Sequence, residues 1–268
     1  MSGNKTGPRP SGKTGGKTGG KTAGRAAESG KAGARDVIPR EDGTRAALIG
    51  AATIRFGEMG YAAASIRAIA ADAGANIALI SYHFGGKQGL HEACAEAIIE
   101  KLSKVAGSAV LAAADEADGL PAQAAAAMLE RTVSAMIAFL VADEESRPVA
   151  LFMMRELAAP GPVLDRIYSG LIEPVHGAAC RVWAAATGAK ADAPDTKLAV
   201  FSLLGQVLYF RIARSVVMRR LDWPVIAASE HAAIDRTLAT NLRASIDAAR
   251  AANGLGPLNT GSFGEVSS

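Results

Sequence analysis

Residues 46–90 read AALIGAATIRFGEMGYAAASIRAIAADAGANIALISYHFGGKQGL, and this stretch decides the fold. Leu48, Ile49, Ala52 and Phe56 recur at helical spacing, with Gly57 and Gly60 as places to stop, so a first helix is predicted, with order beginning near Arg40. Ser65 then N-caps a short second helix whose Ile66, Ile69, Ala70 and Ala73 form one apolar stripe, and Gly74 ends it. Asn76 caps a third helix, with Ile80 and Phe84 four residues apart and turned inward, until Gly85 and Gly86 break the pattern. Two short helices joined by a tight, glycine-containing turn have the geometry that lays a second helix in the major groove of DNA.

The side chains of that third helix sharpen the reading. With Ile80 and Phe84 inward, Ile77, Ala78, Leu79, Ser81, Tyr82 and His83 are left to other faces or to solvent. A merely solvated surface would not normally choose so many apolar and aromatic groups. A groove accepts them: Ala78 and Leu79 can touch thymine methyl groups, Ser81 can bond to a base edge, and Tyr82, His83 and Lys87 can reach phosphates. Packing of Tyr82 and His83 against the following helix is the competing reading. His91 is expected at the surface.

These residues resemble the DNA-binding head of TetR-family transcriptional regulators. The segments that carry the resemblance are FGEMGY at 56–61, SIRAIAADAG at 65–74, and YHF at 82–84 followed by Lys87 and Leu90. The resemblance implies that Ser65, Tyr82, His83 and Lys87 contact phosphates and that Ile77, Ala78, Leu79 and Ser81 face bases, with Asn76 in the same DNA-binding set. One departure stands out: this face has no Arg, Gln or Asn to pair with a purine, so specificity is expected to lean on methyl contacts and DNA shape.

From Lys87 onward the pattern stays helical, over 87–114, 121–141, 146–158, 161–186, 193–220 and 229–251, with Pro174 predicted to kink the fourth of these. The expected fold is all-α: a three-helix helix-turn-helix head at 36–90 and a larger helical domain at 91–252, flanked by a disordered basic tail at 1–35 and a flexible tail at 253–268. RPVALFMMREL at 147–157, PVLDRIYSGLIEPV at 162–175 and FSLLGQVLYFRIARSVVMRRL at 201–221 resemble the carboxy-terminal domain of one TetR subgroup. Arg155, Glu156, Leu157, Pro174, Gly205, Gln206, Arg211 and Arg214 are the matching positions, and the resemblance implies a body that binds a small effector and forms the dimer.

A homodimer also follows from the length of the recognition helix, which covers only a few base pairs and needs a second, two-fold related half-site. Leu198, Phe201, Leu204, Leu208 and Ile212 lie at helical spacing, as do Ile234, Leu238, Leu242 and Ile246, and the two stripes are expected to complete a four-helix bundle with a partner. Their alternative is the chain's own core. For the effector, Phe139, Phe152, Met153, Tyr168, Trp183 and Tyr209 are scarce large groups in an alanine-rich chain, and Arg155, His176 and Gln206 are polar groups near apolar faces; a mostly apolar pocket would use such a set, as would ordinary core packing. Arg155 and Glu156 also read as a structural pair linking helices.

Composition bounds the rest. The 268 residues are 49% apolar but only 5% aromatic, much of the apolar share being alanine, which suits closely packed helices and not sheets. Cys94 and Cys180 stand far apart with no CxxC and no His pair, so no disulfide framework, metal or cofactor is expected, and a reducing cytoplasm fits. The longest apolar run, 198–210, is well short of the ~20 residues that span a bilayer, and no signal peptide follows the basic start, so no membrane anchor is expected.

Residues 1–35 hold eight Lys or Arg against Glu28, a charge of +7 that leaves −4 of the +3 total for the remainder. Such a tail either adds salt-sensitive attraction to nucleic acid or merely solubilises. Its GPRPSGKT (7–14) and GGKTGGKT (15–22) fit the phosphate-loop spelling but lack the preceding strand and following helix that aim backbone amides at phosphates. The expected function is a cytoplasmic, ligand-responsive repressor that binds a palindromic operator on double-stranded DNA. The rivals are a nucleoid-type protein and, with four scattered His and no catalytic residues assembled, an enzyme.

Overall fold

The computed structural model describes residues 41–107, 110–112, 119–142 and 144–258, and no strand occurs among them. The expected basic tail at 1–35 and the final residues 259–268 lie outside the described residues. The head comprises α1 (Glu41–Ala63), α2 (Ile66–Asp72), α3 (Ala78–Phe84) and the start of α4 (Lys87–Leu102). The body adds α5 (Ala122–Ile137), α6 (Arg147–Ala158), α7 (Pro162–Ile167), α8 (Glu173–Thr187), α9 (Pro194–Ile212), α10 (Arg214–Arg220) and α11 (Ala228–Ala252).

Head and body share one core. Leu48 and Phe56 of α1, Ile69 of α2, Ile80 of α3 and Leu90 of α4 are buried in the same cluster as Val149 and Phe152 of α6 and Ile167 of α7. α4 runs through the expected division at residue 90, and Leu90 itself is buried in this shared core. Gly57, expected as a stop, instead permits the crossing of α1 and α6: a Cβ there would lie 3.1 Å from the backbone of both Phe152 and Pro148. The stop is Gly60, whose φ of 80° kinks the helix.

Two further cores fill the body. Leu129 of α5, Trp183 of α8, Leu203 of α9 and Leu242 and Ile246 of α11 form one. Ile137, Val207, Ile226, Ile234 and Leu238 form the other. Residues 122–141 have the length and hydropathy of a membrane span, but Ala125, Leu129, Ile137 and Val141 are buried in these cores.

Three expectations change in detail. The helix around Pro174 is widened by a π-helical turn at Tyr168–Ile172, which lies immediately before the proline's helix and accommodates a ring that lacks an N–H. The single helix expected over 193–220 is bent by 75° at Ala213, although neither Gly nor Pro marks the place; the bend carries Met218 onto the third core. Residues 253–258, expected to be loose, are held to α11: Arg250 Nε donates to the Gly256 carbonyl at 2.6 Å, the Leu258 amide donates to Asp247 at 3.0 Å, and Leu258 packs on the second core.

Candidate nucleic-acid interface

The α2–α3 unit is closed from below and open above. Ile80 is fully buried, while the Asn76 side chain accepts a hydrogen bond from the Ala78 amide at 2.9 Å and so starts α3 as expected of a cap. Ser65 occupies the cap position of α2 in extended conformation, yet its side chain makes no capping bond and stays exposed. At the other end of α3, α4 starts so close that a Cβ on Gly89 would fall 1.9 Å from the Phe84 carbonyl oxygen. Arg55 on α1 grips Asp72 of α2 through two hydrogen bonds of 2.5 and 3.0 Å.

On the outer face, Ile77, Ala78, Ser81 and Tyr82 are exposed, Tyr82 to 72%. His83 is half-buried, edge-to-face with Tyr82 at 4.9 Å. Leu79 departs from the expected base-facing set: it packs half-buried against the head's core, because it lies next to Ile80 on a helix only seven residues long. Lys87 is engaged within the protein, its Nζ donating to the Ala62 carbonyl at 3.2 Å and lying 4.7 Å from the centre of the Tyr61 ring. Arg45, missed in the sequence, is an exposed cation 5.5 Å from the centre of the Phe84 ring, at the end of α3. Its only sequence signal was a positive charge one turn before the first apolar residue of α1.

His91 is not at the surface. It is buried among Phe56, Tyr61 and Phe152, at ring distances of 4.6, 4.8 and 5.1 Å, and its Nε2 lies 3.0 Å from Oε1 of Glu156. Burial pushes the imidazole down to about 4 and pushes the Glu156 carboxyl upward from its ordinary range. His91 is thus neutral near pH 7 and can donate its Nε2 proton to the carboxylate.

The nine residues proposed for an effector pocket are spread over three cores and the surface, Met153 packing against the core shared with the head. Phe152 lies in the core shared with the head, Trp183 in the second core, and Phe139 packs on the third. Arg155 turns away from the body: its Nε donates to the Gly57 carbonyl at 2.8 Å and its Nη2 to the Glu58 carbonyl at 2.5 Å. Gln206 accepts a hydrogen bond from Asn241 at 2.9 Å, joining α9 to α11. His176 stacks on Phe201 at 3.9 Å, with its Nε2 3.2 Å from the Lys197 carbonyl. Tyr168 and Tyr209 are exposed.

The two stripes proposed for dimerisation part company. On α9, Leu198 is 64% and Ile212 54% exposed, Phe201 is exposed, and Leu204 and Leu208 are half-buried. On α11, Ile234, Leu238, Leu242 and Ile246 are all buried within the chain's own second and third cores. That part of the expectation is corrected. The outward face of α11 carries Thr237, Asn241, Ala244 and Ala248 instead. Among the described residues no group of three or more His, Cys, Asp or Glu is placed to hold a metal ion. Burial pushes the Cys94 thiol up to about 12, and its Sγ donates to the Ile49 carbonyl at 3.6 Å.

The head and body match separate family profiles. Residues 48–94 match "Bacterial regulatory proteins, tetR family", and residues 125–249 match "HTH-type transcriptional dual regulator CecR, C-terminal domain". The HTH-type transcriptional dual regulator CecR of Shigella flexneri is 32% identical over 203 residues, which cover 73% of this chain and 87% of that protein. Among solved structures, a putative transcriptional regulator from Pseudomonas aeruginosa PAO1 has a TM-score of 0.55 at 18% identity, covering 81% of this chain and 95% of that one. AibR in complex with isovaleryl coenzyme A and operator DNA has a TM-score of 0.55 at 15% identity, covering 74% and 97%. The chain belongs to the TetR family of bacterial transcriptional regulators, with a carboxy-terminal domain of the CecR type.

Proposed function

We propose that the protein is a one-component regulator that binds a palindromic operator as a homodimer and is released from it, as a repressor, by a small molecule bound in the body. The observation that carries this reading is the outer face of α3, where Ile77, Ala78, Ser81 and Tyr82 meet solvent above a buried Ile80. Ser65, Asn76, His83 and Lys87 frame that face and serve as phosphate contacts and caps; on encountering DNA, Lys87 has two further ammonium donors for a phosphate oxygen.

The exposed stripe of α9 supports the dimer. Leu198, Phe201, Tyr209 and Ile212 leave an apolar face beside the short side chains of α11, and a second copy covers it as a four-helix bundle in which small residues permit close approach. Binding of an effector in the body then needs to favour a dimer with displaced heads by only about 3 kcal/mol to weaken DNA binding more than a hundredfold. AibR, of the same fold, is described with both operator DNA and isovaleryl coenzyme A; a comparable pairing of DNA and small ligand in the cytoplasm is the role proposed here.

The experiment is footprinting of the purified full chain on the DNA upstream of its own gene, with and without candidate small molecules. A protected palindrome, released by one of the compounds, is the expected result. Binding that ignores sequence and vanishes on deleting residues 1–35, which carry +7, would overturn it in favour of a nucleoid-type protein.

A further inference from the structure

We infer that Arg155 and Glu156, successive residues of α6, form a two-point latch that sets the tilt of the DNA-binding head on the body and thereby the spacing of the half-sites the dimer accepts. The inference rests on the operator-binding reading above and names the residues through which the body holds the head.

The first point of attachment is the broken end of α1. Gly60, with φ of 80° and ψ of 164°, interrupts the helix three residues after Gly57. The carbonyls of Gly57 and Glu58 sit at that interruption, where helical partners run out. Arg155 reaches across from α6 and supplies one donor to each, Nε to Gly57 and Nη2 to Glu58. A planar fork spans two neighbouring carbonyls as no ammonium can, and its charge faces the negative end of α1.

Glu156 makes the second attachment. Its carboxylate meets His91 on α4 at 3.0 Å, the two side chains being 12% and 8% exposed. α1 and α4 are the helices on either side of α2–α3: one leads into the unit and the other leaves it. A body held at two separated points keeps only rotation about the line that joins them. That rotation is blocked where α6 lies backbone-close to Gly57 and where Phe152 packs into the shared core.

The same helix is tied to the body's interior. α6 follows the π-helical turn at Ala138–Ala142, and Val141 of that turn is buried in the third core and accepts a hydrogen bond from Arg214 at 3.2 Å. Arg155 itself is exposed, so its loss leaves the buried cores intact and removes one of the two points of attachment without unfolding the head.

The test uses the full-length chain. Sites are first selected from a random duplex library with the wild type, and binding is then measured by fluorescence anisotropy to the selected site and to versions with one or two base pairs added or removed between half-sites. Arg155→Ala is expected to lower affinity for the selected spacing about tenfold and to cut the preference over altered spacings at least fivefold, with unchanged circular dichroism and sedimentation. Arg155→Lys, which reaches one carbonyl but not both, falls in between and carries the same test if the alanine variant does not fold. Glu156→Gln, which still accepts from His91, keeps the wild-type spacing preference, whereas Glu156→Ala relaxes it. A purely stabilising role lowers affinity for every spacing alike; equal loss across spacings, or no loss, overturns the latch. If the wild type selects no paired half-sites, the operator reading falls with it, and that outcome is distinct from a wild type that selects them and a variant that does too.

Discussion

Nε2 of His91 and Oε1 of Glu156 stand 3.0 Å apart, with both side chains nearly sealed from water, at the junction of head and body. Burial favours the neutral imidazole, whose folded value is about 4 against an ordinary 6.5. Below pH 6.5 the unfolded chain takes up a proton that the folded one refuses. Stability contributed by this group is present above pH 6.5 and is lost as pH falls toward 4, by about 3 kcal/mol in full. Glu156, raised by burial, acts in the opposite sense, its contribution fading as pH rises above the ordinary carboxylate range. Thermal melts from pH 7 to 4.5 should show a shallower acid decline in His91→Gln than in the wild type. Parallel curves would remove His91 from the account.

Tyr82 projects from α3 with 72% of its surface open. Tyr82→Ala is expected to change stability by less than about 0.5 kcal/mol and to weaken operator binding at least tenfold in anisotropy titrations. Lys87→Ala behaves differently, since it also gives up the bond to the Ala62 carbonyl and the contact with the Tyr61 ring; it loses DNA binding and about 1 kcal/mol of stability together. Full operator affinity in Tyr82→Ala would discredit α3 as the reading helix.

The close meeting of α3 and α4 has no room for a methyl group at residue 89. A Cβ there would stand 1.9 Å from the Phe84 carbonyl oxygen, a backbone atom that no rotamer change can move away. Gly89→Ala should cost about 2 to 3 kcal/mol in urea unfolding and displace the recognition helix. A variant as stable as the parent would mean that this turn is easily rebuilt.

Leu198 and Phe201 face solvent in the single chain, whereas Leu242 is fully buried in it. Leu198→Glu combined with Phe201→Glu should therefore leave helicity intact and shift sedimentation from dimer to monomer. Leu242→Glu should unfold the chain instead, because an unpaired carboxylate would enter the second core. A double variant that still sediments as a dimer would move the interface elsewhere.

Local signals made most of the fold legible. Asn76 could be recognised as a cap because a short acceptor before an apolar helix has one common use, and its bond to the Ala78 amide is that use. Helical spacing turns Ile80 inward, but it leaves Tyr82 between solvent and the following helix, and the structure exposes it. The surroundings of His91 and Arg155 could not be read in the same way. Their partners lie 65 and 98 residues away, and no local pattern announces a contact across that distance.

What the sequence determined by itself was the order of helices, the place of the recognition unit and the family, since periodicity, caps and glycines act within a few residues of where they are written. Only the tertiary structure decided which apolar stripes are consumed inside. Leu198 with Ile212 and Ile234 with Leu242 are written in the same helical rhythm, yet the first pair is exposed and the second buried. Spacing fixes which side chains share a face of a helix; the packing of distant helices, and the 75° bend at Ala213, chooses which face is covered.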